Sequence, residues 1–291
     1  MTKIQASELI INNDGSVFHL HIKPGELADK VILVGDPARA DLIATKFDTI
    51  EVSHSSREFH SITGTYKNTR FTALSTGIGC DNIDIVMNEL DALVNIDFKT
   101  REIKKDKTSL TVLRIGTCGG IQPYINLGDL VFSHISIGCD GLMNWYADRD
   151  AISELDIEKA FVKHVGWSEK LPAPYFVKAD EDLIKLFEDC TVKGMTISAS
   201  GFYGPQGRVL RMPLAMPNMV RDFESFEYDG RKITNFEMEG SAIAGIARHL
   251  GHKAGTMCTV VANRYAGKSE PDYHAFIDNM IQTALDKMCN L

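Results

Sequence analysis

The chain has 291 residues, of which 44% are hydrophobic and 24% are charged, and its formal net charge is -8. This composition is typical of a globular protein with one large core or two smaller ones. The acidic balance excludes a nucleic-acid partner, because such binding needs a basic face and no basic run exceeds the short "TREIKKDK". The absence of a signal-peptide pattern and of any membrane-length apolar stretch predicts a cytoplasmic protein that binds no membrane.

Cysteine and histidine usage predicts neither a disulfide framework nor a metal centre. No two cysteines form a CxxC pair and most have apolar neighbours, so we expect reduced thiols in a cytosolic protein. The six cysteines are Cys80, Cys118, Cys139, Cys190, Cys258 and Cys289. The "HLH" segment, with His19 and His21, is more typical of alternation along a strand edge than of a metal site. We therefore expect no metal ligands and no organic cofactor.

Strand-like and helix-like segments alternate along the chain. Runs of β-branched and apolar residues predict strands, and apolar residues at three- and four-residue spacing predict amphipathic helices. In chain order, the sequence predicts strands over 30–37 and 70–79, a helix over 83–94, strands over 110–117, 128–138 and 195–200, a helix over 242–250, a strand over 254–264 and a helix over 276–288. This alternation predicts an α/β fold around a largely buried sheet.

The ends of the three predicted helices carry capping signals. Asp81 is placed to cap the start of the first helix, Gly251 to end the second, and "SEPD" at 269–272 to open the third. Two polar stretches, near 97–109 and 144–174, are interpreted as surface insertions and not as domain boundaries. We therefore predict a single domain over residues 1–291.

Glycine-rich turns follow three of the predicted strands, at 35–37, 77–79 and 116–119. In an open α/β sheet ligands bind beyond the carboxyl ends of the strands, where bare glycine amides can approach an anion closely. Arg39 lies four residues past Gly35, and Arg114 lies in an apolar run just before the third turn. Because an unpaired buried cation costs on the order of several kcal/mol, we expect a phosphate or carboxylate ligand to be the counter-ion of Arg114.

Each of these signals alone also has an ordinary explanation. Glycines at strand ends usually form turns, and Arg39 by itself is typical of a solvated helix residue. A dinucleotide-binding fingerprint does not fit, because Gly77 and Gly79 are followed by Asn82 where a third glycine is needed, and no GxxxxGK[ST] loop is present. The coincidence of three turns with two arginines nevertheless favours an anion site.

Five segments resemble, in this order, those of the nucleoside phosphorylases, and most closely those of the uridine-specific members. They are "VGDPARADLIA", "STGIGCDNIDIVMNEL", "LRIGTCGGIQPYINLGDLV", "FYGPQGR" and "NFEMEGSAIAGIARHLG". The similarity runs from about residue 17 to the final helix and is thin only in the two insertions. The resemblance implies a single-domain nucleoside phosphorylase-like fold with a central mixed β-sheet flanked by helices. It also implies a homodimer or a hexamer (a trimer of dimers) whose active sites are shared between subunits.

The resemblance implies a site for inorganic phosphate, which would be a co-substrate. The implied phosphate-binding residues are Gly35, Arg39, Arg57, Arg114 and Thr117. Of these, Arg57 in "SSREFH" would reach in from a neighbouring subunit. Some relatives also bind a monovalent cation between subunits near the acid that follows this arginine, Glu58 here, so the resemblance leaves such an ion open.

The resemblance also implies ribose-binding and base-binding residues. For the ribose they are His19, Thr117, Glu237, Met238 and Glu239, with His19 crossing the subunit interface to the 5′-hydroxyl. For the base they are Phe202, Gln206, Arg208 and Arg264. A glutamine and an arginine together supply the donors and the acceptor that match the imide edge of uracil, which a purine edge does not match.

The function implied by the resemblance is reversible phosphorolysis of uridine to uracil and ribose 1-phosphate. Arg114, Glu239, Arg208 and Gln206 would be the catalytic residues, acting by positioning and electrostatics. Alternatives that stay open are a purine nucleoside phosphorylase or a nucleosidase of the same fold, and a catalytically silent nucleoside-binding protein.

Two departures from the family pattern bear on the choice of substrate. Purine enzymes of the family use an aspartate near the position that Asn263 occupies, which favours a pyrimidine here. In the base-binding loop Gly204 and Pro205 are swapped, and Gly207 replaces an acid. The choice among uridine, deoxyuridine and thymidine therefore stays open.

Overall fold

The computed structural model describes residues 3–291, which form 14 strands and seven α-helices. The strands are β1 Lys30–Val34, β2 Thr49–Ser56, β3 Phe59–Tyr66, β4 Thr69–Ser75, β5 Ile96–Asp97, β6 Glu102–Ile103, β7 Thr111–Gly120, β8 Leu130–Gly138, β9 Tyr175–Lys178, β10 Val192–Ser198, β11 Glu227–Tyr228, β12 Arg231–Glu237, β13 Lys253–Asn263 and β14 Lys268–Ser269. The helices are α1 Pro37–Ala44, α2 Cys80–Asn95, α3 Leu155–Val165, α4 Glu181–Phe187, α5 Met219–Ser225, α6 Gly240–Leu250 and α7 His274–Met288.

Twelve of these strands form one mixed sheet. Ten follow one another in the order β11-β12-β10-β8-β13-β7-β1-β4-β3-β2, while β9 pairs with β8 and β14 with β13. Strand β12 also pairs antiparallel with β7, where Asn235 lies opposite Gly120 and Phe236 opposite Gly119. Strands β7, β13, β8, β10 and β12 therefore close into a ring, and β1 to β4 extend from it. This mixed sheet with helices around it confirms the predicted fold class.

The helices cover the sheet with separate apolar clusters. Helices α2 and α6 share one cluster with β1 and β7, while α1, α4 and α7 share a second with the same central strands. Helices α3 and α5 pack on β8, β10 and β12 through a third cluster that includes Phe161 and Phe223. The stretch 144–174 thus contributes the buried Phe161 to the core. No helix within residues 3–291 is long and apolar enough to cross a membrane.

The predicted strands and helices are all found, but several local predictions are wrong. Strand β2 was not predicted, because it is polar and mostly exposed. The largely buried strands β3 and β12 were not predicted either. Residues 116–119, predicted to form a turn after a strand, instead continue β7 to Gly120. The N-cap of α2 is Gly79, with φ of 105°, and Asp81 lies in the first turn of a helix that has no side-chain cap. Helix α7 begins after "SEPD", with Tyr273 as its N-cap. His19 lies in a turn and not on a strand edge.

The remaining capping prediction is confirmed. Gly251 ends α6 in the left-handed conformation, with φ of 82°, and its N–H group bonds back to the carbonyls of Ala247 and Arg248. This conformation favours glycine because a Cβ atom would crowd the backbone. The turn directs the chain straight into β13, whose far end borders the candidate site.

Candidate active site

A cavity of about 640 Å³ opens at the carboxyl ends of β1, β4, β7 and β12. Ten residues expected from the sequence line it: Gly35, Arg39, Arg114, Thr117, Phe202, Gln206, Arg208, Glu237, Met238 and Glu239. Other lining residues were not singled out for a role, including Ile78, Cys118, Phe236, Ala262 and Tyr273. Segments that are far apart in the sequence therefore meet in one cavity, as the glycine turns at strand ends predicted.

Arg114 lies at the bottom of this cavity, on β7, and its side chain is only 8% exposed. Its guanidinium forms a close ion pair with Glu239, lies 3.2 Å from the Glu237 carboxylate and donates a hydrogen bond to Cys258 Sγ at 3.3 Å. Gly116 makes room for it, since a Cβ atom there would lie 2.5 Å from the Arg114 Nη1 atom. The expectation that only a ligand neutralises Arg114 is therefore wrong, because the chain itself supplies two carboxylates.

The two glutamates differ in their roles. Glu237 is fully buried; its Oε1 accepts from the Ser198 hydroxyl, and its Oε2 accepts from the N–H groups of Glu239 at 2.9 Å and Gly240 at 2.8 Å. It therefore caps α6, a helix whose own N-cap residue forms no side-chain cap. Sequence analysis missed Ser198, whose only signal was a polar residue at the end of an apolar strand.

Glu239 is the carboxylate that the fold aims at the cavity. It is held by Arg114 on one oxygen and by the Gly79 N–H group, at 2.6 Å, on the other. Burial raises the pKa of Glu239, Arg114 opposes this effect, and the negative charge of Glu237 adds to it. Burial lowers the pKa of Arg114, but the charges of Glu239 and Glu237 outweigh it, so the net pKa of Arg114 is raised. The pair is thus a charged group buried at the cavity floor.

Arg39 gives the opposite wall of the cavity a positive charge. Burial, and after it the charge of Arg114, lowers the pKa of Arg39. Within residues 3–291, no carboxylate oxygen lies within 4.0 Å of the Arg39 guanidinium. With Gly35 before the first turn of α1 and Thr117 at the end of β7, this wall offers a cation, a bare backbone and a hydroxyl. Such a set suits an oxyanion.

The base-binding loop is organised around Arg208. The Arg208 guanidinium lies 3.8 Å from the centre of the Phe202 ring, and its Nη1 donates at 2.6 Å to both the Phe202 carbonyl and Gln206 Oε1. Burial, followed by the charge of Arg264, lowers the pKa of Arg208. Gly207 has φ of 71°, a left-handed conformation that explains glycine where relatives carry an acid.

Arg264 supports this loop from outside the cavity. It does not line the cavity, and its guanidinium donates to the carbonyls of Gln206 at 2.8 Å and Gly207 at 3.4 Å. Asn263 is likewise engaged, because its amide donates to the carbonyls of Gln122 at 3.2 Å and Ile125 at 2.5 Å. Its Oδ1 accepts from the backbone N–H of Ala266, so this side chain serves the local backbone.

Besides Arg264, three further residues expected near the site do not line the cavity of the single chain. Arg57 lies exposed in the turn between β2 and β3, with φ of 56°. His19 Nδ1 lies 2.6 Å from Glu89 Oε1, which leaves its other ring nitrogen outside that contact. Glu58 accepts a hydrogen bond from the Asn82 amide at 3.1 Å. These are the residues that the resemblance assigns to a subunit interface.

Known proteins with similar sequences and folds identify the family of this chain. A family model described as the phosphorylase superfamily matches residues 29–291. A uridine phosphorylase of Thermococcus kodakarensis is 29% identical over 267 residues, which cover 90% of this chain and 83% of that protein. A guanosine phosphorylase of Halorubrum lacusprofundi is 27% identical over 254 residues, which cover 87% of this chain and 86% of that protein.

A solved structure is also similar to this chain in both sequence and fold. The Trypanosoma brucei nucleoside phosphorylase, described as showing uridine phosphorylase activity, superposes with a TM-score of 0.89 at 32% identity. The match covers 97% of this chain and 100% of that chain. The chain therefore belongs to the phosphorylase superfamily and is an enzyme of the nucleoside phosphorylase type.

Proposed function

We propose that the protein is a uridine phosphorylase, which converts uridine and inorganic phosphate reversibly to uracil and ribose 1-phosphate. The observation that carries the proposal is that one cavity holds three different surfaces. These are a positive wall with Arg39, a buried carboxylate at Glu239, and a loop that presents Gln206 and Arg208. The first suits phosphate, the second suits sugar hydroxyls and the third suits an imide. Two of the relatives described above carry this activity in their names.

Phosphate would lie between Arg39, Arg114 and the Gly35 backbone, beneath the ribose. Phosphate dianion is already a competent nucleophile, so the protein has to position it and not to deprotonate it. As phosphate binds, it competes with Glu239 for the Arg114 guanidinium. Glu239 would then offer its oxygens to the 2′- and 3′-hydroxyls of the sugar, with Met238 packed under the ring. The sugar passes through a cationic transition state between departing uracil and incoming phosphate.

The base loop would stabilise the leaving group. Arg208 Nη1 donates to Gln206 Oε1 and to the Phe202 carbonyl. Within residues 3–291, the side-chain amide N–H groups of Gln206 and the other guanidinium N–H groups of Arg208 donate to no acceptor of the chain. Those donors suit a uracil ring that gains negative charge as the glycosidic bond breaks. A purine enzyme would need an acid near position 263, where this chain has Asn263. The Asn263 side chain is also bonded to backbone groups outside the cavity.

We further propose that each complete site is shared by two subunits of a homodimer or of a hexamer built from dimers. Arg57 would add a second phosphate ligand and His19 would contact the 5′-hydroxyl in the neighbour's cavity. Both side chains lie outside the cavity of their own chain, and among the described residues Arg39 and Arg114 are the arginines that we assign to phosphate in that cavity. Glu58, which directly follows Arg57 and accepts a hydrogen bond from Asn82, stays a candidate neighbour of a monovalent cation. Each subunit would consist of a single domain over residues 1–291.

A panel of nucleosides assayed with phosphate tests the base assignment. Each buried polar group left unsatisfied costs about 1–3 kcal/mol, so we expect kcat/KM for uridine to exceed that for inosine and cytidine by at least roughly a hundredfold. Gln206→Ala should reduce this preference while leaving KM for phosphate unchanged. Comparable rates with inosine would move the protein to the purine branch. Binding of uridine without any turnover would instead identify a nucleoside-binding protein.

A further inference from the structure

A group of hydrogen bonds connects the end of β8, strand β9 and the first turn of α6. Its centre is Asp140, which follows β8. The Asp140 carboxylate accepts from the Tyr175 hydroxyl at 2.8 Å, the Ser241 hydroxyl at 2.8 Å and the Leu142 N–H group at 2.7 Å. The Tyr175 hydroxyl also lies 3.1 Å from Ser241 Oγ. Neither Asp140 nor Tyr175 lines the cavity, and the functional assignment above gives them no role.

This group is connected to the first turn of α6. The Ser241 N–H group donates to Ser198 Oγ at 2.9 Å, and Ser198 in turn donates to Glu237. Glu237 accepts the N–H groups of Glu239 and Gly240. Ser241 therefore holds the first turn of α6 in two ways. Its N–H group is bonded to Ser198, and its hydroxyl is bonded to Asp140. Glu239 is the residue that directly precedes this turn.

A glycine leaves space for the Tyr175 ring. Gly138 in β8 lies opposite Tyr175 in β9, and a Cβ atom at Gly138 would overlap the ring. Tyr175 is fully buried, which is costly for a hydroxyl unless it has a partner. Asp140 supplies that partner. Burial raises the pKa of Asp140, and the hydrogen bonds from Leu142, Ser241 and Tyr175 oppose this effect.

We propose that Asp140 is a positioning residue for the ribose subsite, because through Ser241 it fixes the first turn of α6 and thereby the place of the Glu239 carboxylate. The inference rests on the proposed function, in which Glu239 binds the sugar hydroxyls. Asp140 touches no substrate in this arrangement. Its effect is on the geometry of a hydrogen bond to the sugar, and that geometry matters more for a ribonucleoside than for a 2′-deoxyribonucleoside.

The test compares uridine and 2′-deoxyuridine in Asp140→Asn and Ser241→Ala. Loss of one well-placed hydrogen bond is worth about 0.5–1.5 kcal/mol, so we expect the ratio of kcat/KM for uridine to that for 2′-deoxyuridine to fall by about 2- to 12-fold. KM for phosphate should stay within about twofold of wild type, because the phosphate wall lies on other elements. Ser241→Ala removes a single oxygen, so it provides the test even if Asp140→Asn fails to fold.

A second tyrosine–aspartate pair provides the matched control. The Tyr66 hydroxyl donates to Asp286 at 2.8 Å, on α7, and neither residue lines the cavity. Asp286→Asn should leave the substrate ratio unchanged. A ratio in Ser241→Ala equal to that of wild type and of Asp286→Asn would overturn the positioning role. If wild type itself released no uracil from uridine, the proposed function would fail and this inference with it, whereas an active wild type isolates the inference.

Discussion

At the scale of single residues, two arginines of the cavity have opposite settings. Arg114 is paired within the chain with Glu237 and Glu239, whereas Arg39 meets no carboxylate oxygen within 4.0 Å in residues 3–291. A buried ion pair that loses one partner leaves an uncompensated charge, which costs about 3–5 kcal/mol. A cation without a chain partner can be removed at little cost to the fold. We therefore expect Arg114 to contribute to stability as well as to activity, and Arg39 to contribute mainly to phosphate binding.

Replacing each arginine should therefore give different results. We expect Arg114→Ala to lower both Tm and activity, because Glu237 and Glu239 lose their cation. We expect Arg39→Ala to leave Tm nearly unchanged and to raise KM for phosphate at least about tenfold, since a charge-assisted hydrogen bond contributes about 1.5–3 kcal/mol. Thermal unfolding and phosphate titrations on both variants check this. Equal losses of Tm would contradict the difference between the two arginines.

At the scale of secondary-structure elements, hydrogen bonds attach the last helix to the sheet. Asp286 on α7 accepts from Tyr66, the last residue of β3, from Lys67, which follows it, and from Gln282 one turn earlier on α7. These hydrogen bonds, first that of Gln282 and then those of Lys67 and Tyr66, lower the pKa of Asp286 to about 2. The Asp286 side chain is 42% exposed, so solvent screens its charge and its contribution to stability is below about 1 kcal/mol.

The lowered pKa predicts a pH-dependent effect of Asp286→Asn. A carboxyl whose folded pKa lies below its unfolded pKa stabilises the protein above the unfolded value, and that contribution is lost as pH falls towards the folded value. The variant should therefore have a lower Tm than wild type at pH 7, by about 1–3 °C. The difference should shrink as pH falls from about 4 towards 2. A difference that is constant over this range would show that the charge of Asp286 does not contribute.

Sequence reasoning worked best where a local pattern decides the structure. Apolar periodicity predicted the central strands, and the glycine segments at 35–37, 77–79 and 116–119 predicted where the cavity opens. The first two follow β1 and β4, whereas 116–119 belongs to the last part of β7. Polar β2 has no such pattern and was missed. The predicted N-cap of α2 was wrong, because the helix begins after Gly79, which has φ of 105° and no side chain to form a cap.

The contacts within the site could not be predicted in the same way. Arg114 and Glu239 are 125 residues apart in the sequence, and their pairing follows from strand order and not from either local segment. The same holds for Asp140 and Ser241, which lie 101 residues apart. The residue types of the site could be named from the family resemblance. The division between Glu237, which caps a helix, and Glu239, which faces the cavity, needed the structure.

At the scale of the whole molecule, the proposal that two subunits share each site predicts complementation between inactive subunits. Arg57→Ala and Arg39→Ala should each be nearly inactive at low phosphate, because every site lacks one phosphate ligand. In a co-refolded equal mixture, half of the dimers are mixed, and each mixed dimer has one intact site. Activity should then recover to about a quarter of wild type. Mixed dimers proven by mass spectrometry but without recovered activity would place Arg57 in its own subunit's site or outside any site.

Phosphorolysis itself is tested most directly by following phosphorus during the reaction. Uridine and the wild-type protein are incubated with and without inorganic phosphate, uracil is quantified, and ³¹P NMR records the phosphorus species. We expect ribose 1-phosphate in an amount equal to the uracil released, and no uracil without phosphate, because phosphate bound as proposed between Arg39 and Arg114 is the nucleophile. Release of uracil with free ribose at the same rate in phosphate-free buffer would contradict it and identify a hydrolase.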